Sequence, residues 1–169
     1  MRILTLVIAN LIFFCNLSFC QIREIPYNEK LSKLFLGEWQ WVSGKTIFKI
    51  ALKEGIMNIG DMKNGKIIGG GHSYTEKGNL VESSIEFITD TVTNSTTIIG
   101  SVSEDSIFTF TIRDLTGNRN FSGSLKLLPG TIPKAIWEIK ELETIRVIAT
   151  RKYPILQTLP SNIVLTKIY

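Results

Sequence analysis

Beyond its first twenty residues the chain has no cysteine, since both Cys15 and Cys20 fall within them. An exported chain of that kind has no disulfide staples and must be stable through burial alone. The remaining 149 residues are enough for one such core. Histidine occurs once, at His72. A histidine-based metal site needs several ligands, so no metal is expected, and no other cofactor is indicated. The three glycines Gly69, Gly70 and Gly71 lack a G-x-G-x-x-G spacing, a following Lys-Ser/Thr pair and a helix-forming run. A nucleotide loop is therefore excluded, and a bulge or bend in a sheet is expected instead. Without Arg2, 18 basic side chains stand against 15 acidic ones, and they are scattered. With no basic stripe interleaved with aromatics, nucleic acid is not an expected partner.

Long apolar runs are also absent after residue 20. Before it, Arg2 precedes a run from Ile3 to Phe14 broken only by Thr5 and Asn10, and Ser18-Phe19-Cys20 follows. This charged, apolar and small-residue order reads as a secretory signal peptide over residues 1–20, cut before Gln21. The run is too short to span a bilayer as a helix. Leu17-Ser18-Phe19-Cys20 also resembles a lipobox, with lipidation of Cys20 as the alternative to cleavage. A membrane is then reached only through that lipid anchor. The expected location is periplasmic, envelope-associated or secreted.

What is present is β pattern. Residues 21–28 form a polar arm, and residues 29–169 a single domain. Asn28 is a suitable N-cap for a short helical turn, in which Leu31, Leu34 and Phe35 share a face, with Leu34 and Phe35 turned inward. Gly37-Glu38-Trp39-Gln40-Trp41 follows. Its two indoles lie two residues apart and so on one strand face. Phe48, Ile50 and Leu52 alternate after the turn at Ser43-Gly44, completing a hairpin. A turn is expected at residues 53–55, and a hairpin at Asn64-Gly65. A strand is expected over residues 80–88, and Phe108, Phe110 and Ile112 mark the cleanest alternation in the chain. Trp137 and Ile139 share a face further on. Residues 141–153 fit a helical period or a β-branched hairpin, with the hairpin favoured. Nine or ten short strands at this spacing predict an all-β sandwich or barrel.

The Gly37-x-Trp39 opening after a leucine-bearing turn resembles the lipocalin and calycin group. The segments Thr46-Ile47-Phe48-Lys49-Ile50, Asp61 to Tyr74, and Leu159-Pro160-Ser161-Asn162-Ile163-Val164-Leu165-Thr166-Lys167 are similar to small exported lipocalin-like envelope proteins of unknown function. The resemblance implies a meandering antiparallel β-barrel of about 8–10 strands. It also implies an arginine closing over the Gly-x-Trp indole, for which Arg146 and Arg151 are the candidates.

No catalytic constellation stands out. His72 reads as an ordinary strand or rim residue; Ser73 or Ser83 could join it on paper. Glu82 and Glu86, four apart, read as a solvated strand face. A hydrolase is the minor reading, and the chain is expected not to be an enzyme. The aromatic set leaves two functions open. Trp39, Trp41, Phe48, Ile50, Phe108, Phe110 and Trp137 could line a pocket for a small hydrophobic molecule. Alternatively they fill a solid barrel, and the chain acts as a structural or interaction protein whose partner is another envelope protein.

Overall fold

A computed structural model describes residues 27–59, 62–87, 92–93, 95–142 and 157–168. The expected signal peptide, the Cys20 lipidation site, most of the expected 21–28 arm, Arg146, Arg151 and nearly all of the 141–153 segment lie outside the described residues.

A seven-residue helix, α1 (Glu29–Phe35), begins at Asn28, whose side chain accepts the Leu31 amide at 3.1 Å. Among the described residues nine strands follow: β1 (Gly37–Ser43), β2 (Thr46–Ile59), β3 (Met62–Glu76), β4 (Asn79–Ser83), β5 (Ile98–Val102), β6 (Ile107–Asp114), β7 (Arg119–Leu128), β8 (Lys134–Glu141) and β9 (Ile163–Lys167). Each pairs antiparallel with its neighbours. Running β1–β2–β3–β5–β6–β7–β8–β9 and back to β1, eight strands close a barrel, with β4 as a side branch on β3. Of the sandwich or barrel that the pattern allowed, the meandering all-β barrel implied by the resemblance is what forms. Closure removes the free edges that an open sheet of this size would present.

Alternation places one row of side chains inside. Trp39 faces Ile50 across β1 and β2, and Trp41 faces Phe48. Phe48 in turn faces Tyr74 on β3, and Phe108 faces Leu125 on β7. Trp39, Phe48, Ile50, Phe108 and Trp137 are fully buried, Phe110 nearly so, and Trp41 half-buried against the same cluster. Helix α1 stops one end. Its Phe35 is buried and its carbonyl accepts Trp39 Nε1 at 2.8 Å. Leu34, expected inside, is 47% exposed. So short a helix turns only a narrow face inward, and Phe35 and Ser32 occupy it.

Among the described residues, Lys167 is the cation over the Trp39 indole, at 5.4 Å from the ring centre and a lysine rather than the expected arginine. Its ammonium also donates to the Leu34 carbonyl at 3.1 Å, tying the first helix to the last strand. Burial pushes the Lys167 ammonium below the usual lysine range.

Four local expectations fail. Gly55 does not turn the chain: it pairs with Ile67 inside a continuous β2, because a ladder partner holds it extended. Asn64-Gly65 lies within β3. Gly65 pairs with Met57, and beyond a register shift Ile59 pairs with Met62. Gly69, Gly70 and Gly71 pair in unbroken register with Lys53, Leu52 and Ala51, so they form no bulge. They admit close neighbours instead; a Cβ on Gly71 would stand 2.6 Å from the Ser84 carbonyl oxygen. Finally, β4 ends at Ser83, and Ile85–Phe87 is a 3-10 turn rather than the end of a strand.

Candidate functional site

The strands form seven complete columns of the wall and one divided column. The second edge of β3 is shared: residues 73–76 pair with β4, and residues 68–70 pair with β5. β4 ends at Ser83 and β5 begins at Ile98, and a backbone bond just outside each strand meets β3. The Ser84 amide donates to the His72 carbonyl at 2.8 Å, and the Thr97 amide to the Gly70 carbonyl at 3.0 Å. His72 therefore sits at a seam, where regular ladder bonding passes from one strand to another.

Side chains bridge this seam. His72 is fully buried and lies on the inward row of β3, opposite Ile50. Its Nε2 is 2.5 Å from Glu82 Oε1, and its Nδ1 is 2.9 Å from Thr97 Oγ1. The Thr97 hydroxyl is 2.7 Å from Ser84 Oγ, which accepts the His72 amide at 3.0 Å. One imidazole thus joins the upper half of the column, through Glu82, to the lower half, through Thr97. Glu82 goes further. Its carboxylate accepts the Thr116 amide at 2.7 Å and the Leu115 amide at 3.4 Å, both in the turn after β6. Where β4 has no strand beside it, a carboxylate takes up the neighbouring amides.

Burial alone would raise the Glu82 pKa. The hydrogen bonds from His72 and from the side chain and amide of Thr116, with the charge of His72 behind them, reverse this and lower it to about 2. Glu82 is therefore ionised and accepts only, so the hydrogen between it and the ring belongs to Nε2. A second buried carboxylate, Asp114, fixes the same turn. It accepts the Gly117 amide at 2.7 Å, the Thr158 amide at 3.1 Å and the Thr158 hydroxyl.

Two sequence expectations change here. Glu82 is not on a solvated face with Glu86. The β3–β4 register shifts between Tyr74 and Thr75, leaving Val81 as an extra residue, so Leu80 turns outward at 65% exposure while Glu82 turns in opposite Tyr74. Glu86 instead accepts the Ser83 hydroxyl at 2.7 Å on the 3-10 turn. His72 does lie on a strand, as read, but its partners are Ser84 and Thr97 rather than Ser73 or Ser83. Strand alternation carried no sign of Glu82, Thr97 or Ser84, whereas Asp114 continues the inward row of Phe108, Phe110 and Ile112 on β6. The only pointer was a lone histidine in an otherwise apolar inward row.

The residues expected to line a pocket come together, but around one another. Trp137 has Phe110 stacked at 4.6 Å and Phe48 at 5.2 Å, centre to centre. Phe108 lies 5.2 Å from Phe110 and 5.9 Å from Phe35, carrying the ring contacts down to α1. Trp137 Nε1 donates to the Pro160 carbonyl at 3.0 Å. Among the described residues, two open depressions lie outside this interior. One of about 500 Å³ lies between Tyr27–Glu29 and residues 101–104, and one of about 310 Å³ crosses β6, β7 and β8 on the outer wall. No group of three or more metal-ligating side chains occurs among the described residues.

An antiparallel eight-stranded barrel with an aromatic interior and a side-chain-bridged wall defines the structural class. Within it, the chain belongs to DUF6705, a family of unknown function whose model matches residues 1–168. No curated protein and no solved structure matches the chain.

Proposed function

We propose that this is an exported, lipocalin-like, non-enzymatic barrel with a solid aromatic interior, acting through its outer surface on a partner in the cell envelope. One observation carries the reading: Trp137 stands between Phe48 and Phe110 at ring-stacking distance, so a ligand at that level would have to displace a fully buried indole. Support for the lipocalin-like character comes from the capped helix, the buried Gly-x-Trp indole and the cation above it. Support for export is the order of charge, apolar run and small residues in positions 1–20. We place no reaction on the His72 cluster, because its hydroxyls and ring are buried and already bonded to one another.

The test is titration of the exported protein with a long-chain fatty acid and with an apolar fluorophore, following tryptophan emission and thermal midpoint. Neither is expected to bind saturably at one per chain. Saturable binding that quenches the tryptophans and raises the midpoint would restore a hydrophobic cargo. Crosslinking in intact envelopes is expected to capture a partner protein; repeated recovery of the chain alone would remove the surface role. Intact mass of the exported chain reads cleavage before Gln21 or a lipid on Cys20 directly.

A further inference from the structure

The hydroxyls at the seam can point in two directions. With a neutral ring, Nε2–H donates to Glu82 and Nδ1 accepts. The order is then Ser84 O–H to Thr97 Oγ1, and Thr97 O–H to His72 Nδ1. With a charged ring, Nδ1–H donates to Thr97 Oγ1. The Thr97 hydroxyl then donates to Ser84 Oγ, and the Ser84 hydroxyl donates to the His72 carbonyl oxygen, 3.3 Å away. Each hydroxyl has one hydrogen and two lone pairs, so both orders are complete. Ser84 Oγ keeps the His72 amide in either case. No donor or acceptor is stranded in the low-dielectric interior by the change, which is what ordinarily makes a buried charge costly.

We propose that this seam is a reversible proton site. One proton from solvent is taken up on His72 Nδ1 by turning two hydroxyl groups, and the barrel wall stays latched in both states. No bond between heavy atoms forms or breaks. The His72–Glu82 pair passes from one negative charge to a neutral ion pair, so the polar end of the barrel changes charge without changing shape. The surroundings suit this. Across from the ring on β2 stand Phe48, at 6.3 Å, and Ile50, neither of them charged. Tyr74 on the same strand packs edge-on against Phe48. On β4, Glu82 is the charged group that touches the ring. Beyond it, Asp114 has its oxygens committed to Gly117 and Thr158. On the β5 side, among the described residues, the ring's Nδ1 meets the Thr97 hydroxyl.

Because His72 is the chain's only histidine, ring nitrogen NMR reads this site alone in the exported, untagged protein. At high pH the Nε2–H tautomer is expected. Lowering the pH should give a single protonation step. Exchange protection of the Ser84 and Thr97 amides should persist on both sides of it. In Thr97→Val the charged ring loses an acceptor for Nδ1–H, a stronger bond than the neutral one it replaces. The midpoint of protonation should fall by about one pH unit, a tenfold loss of proton affinity. Thr97→Ser keeps the relay and should stay near the wild-type midpoint. An Nδ1–H tautomer, a ring that never protonates while the chain is folded, or an unmoved midpoint in Thr97→Val overturns the proposal. So does loss of amide protection on protonation, which would make the seam a gate. If Thr97→Val does not fold, the wild-type tautomer and exchange data still decide.

Discussion

The two ends of the barrel interior are held by different physics. Toward α1, Phe35, Phe108, Phe110 and Trp137 bury large rings against each other, an attraction that is strong in sum and has little directional demand, and Phe48 links them to the seam. Toward the seam, His72, Glu82, Thr97, Ser84 and Asp114 are buried too, but each is worth keeping only while its partner is present. The first end takes its strength from area and the second from completeness. A shell needs the second kind where its ladder is broken, because apolar side chains cannot satisfy amides that have lost a strand partner.

Removing the keystone of the ringed end should have the largest effect. Trp137→Ala leaves a cavity between Phe48 and Phe110 and strands the Pro160 carbonyl, and should cost about 3–5 kcal/mol in urea unfolding. A cost below about 1 kcal/mol would mean the interior is not solid there. Next comes the seam. Glu82→Ala should cost about 3 kcal/mol, since the ring and the Thr116 amide lose an acceptor together. Replacing His72 and Glu82 together with apolar residues of similar size should cost clearly less than the two single changes added. Strict additivity would show that the pair is not coupled, and the contrast between the ends would collapse.

Acid sharpens the same contrast. The Glu82 pKa in the folded chain is about 2, below its value of about 4.3 when unfolded. A lowered carboxylate pKa contributes stability above the unfolded value, and that contribution is lost as pH falls through the folded one. On the order of 2–3 kcal/mol should therefore disappear between about pH 5 and pH 2. Glu82→Gln should flatten this part of the pH–stability curve, while a ringed-end variant such as Phe108→Leu should lower the curve without changing its shape. The smallest effect expected is at Lys167→Met. Loss of the contact with Trp39 and of the bond to the Leu34 carbonyl should cost about 1 kcal/mol, read as a shift of a few degrees in thermal midpoint.

The ringed end was readable from residue order and the seam was not. Trp39, Phe48, Phe108 and Trp137 sit in strands whose alternation is local, so their inward direction follows from period two alone. Glu82 lies one bulge away from the alternation that would have placed it outside. Bulges depend on how two strands settle against each other, and neither strand carries the information by itself. Thr97 and Ser84 stand just outside strands, where no period applies. Lys167 meets Trp39 across 128 positions of chain, a pairing that only closure of the barrel creates. Asn64-Gly65 shows the opposite failure. A strong local turn signal was overruled by a long β2–β3 ladder in which Gly65 pairs with Met57.

By itself the order of residues determined an all-β meander, a capped first helix and an interior of aromatic rings, because each rests on propensities and periods of neighbouring positions. Tertiary structure alone decided that the meander closes on eight strands and that the rings meet one another. It also decided that one column of the wall is divided, and that a lone histidine joins its halves. Those features require residues far apart in the chain to arrive at hydrogen-bonding or ring-stacking distance, and local preference carries no record of such meetings.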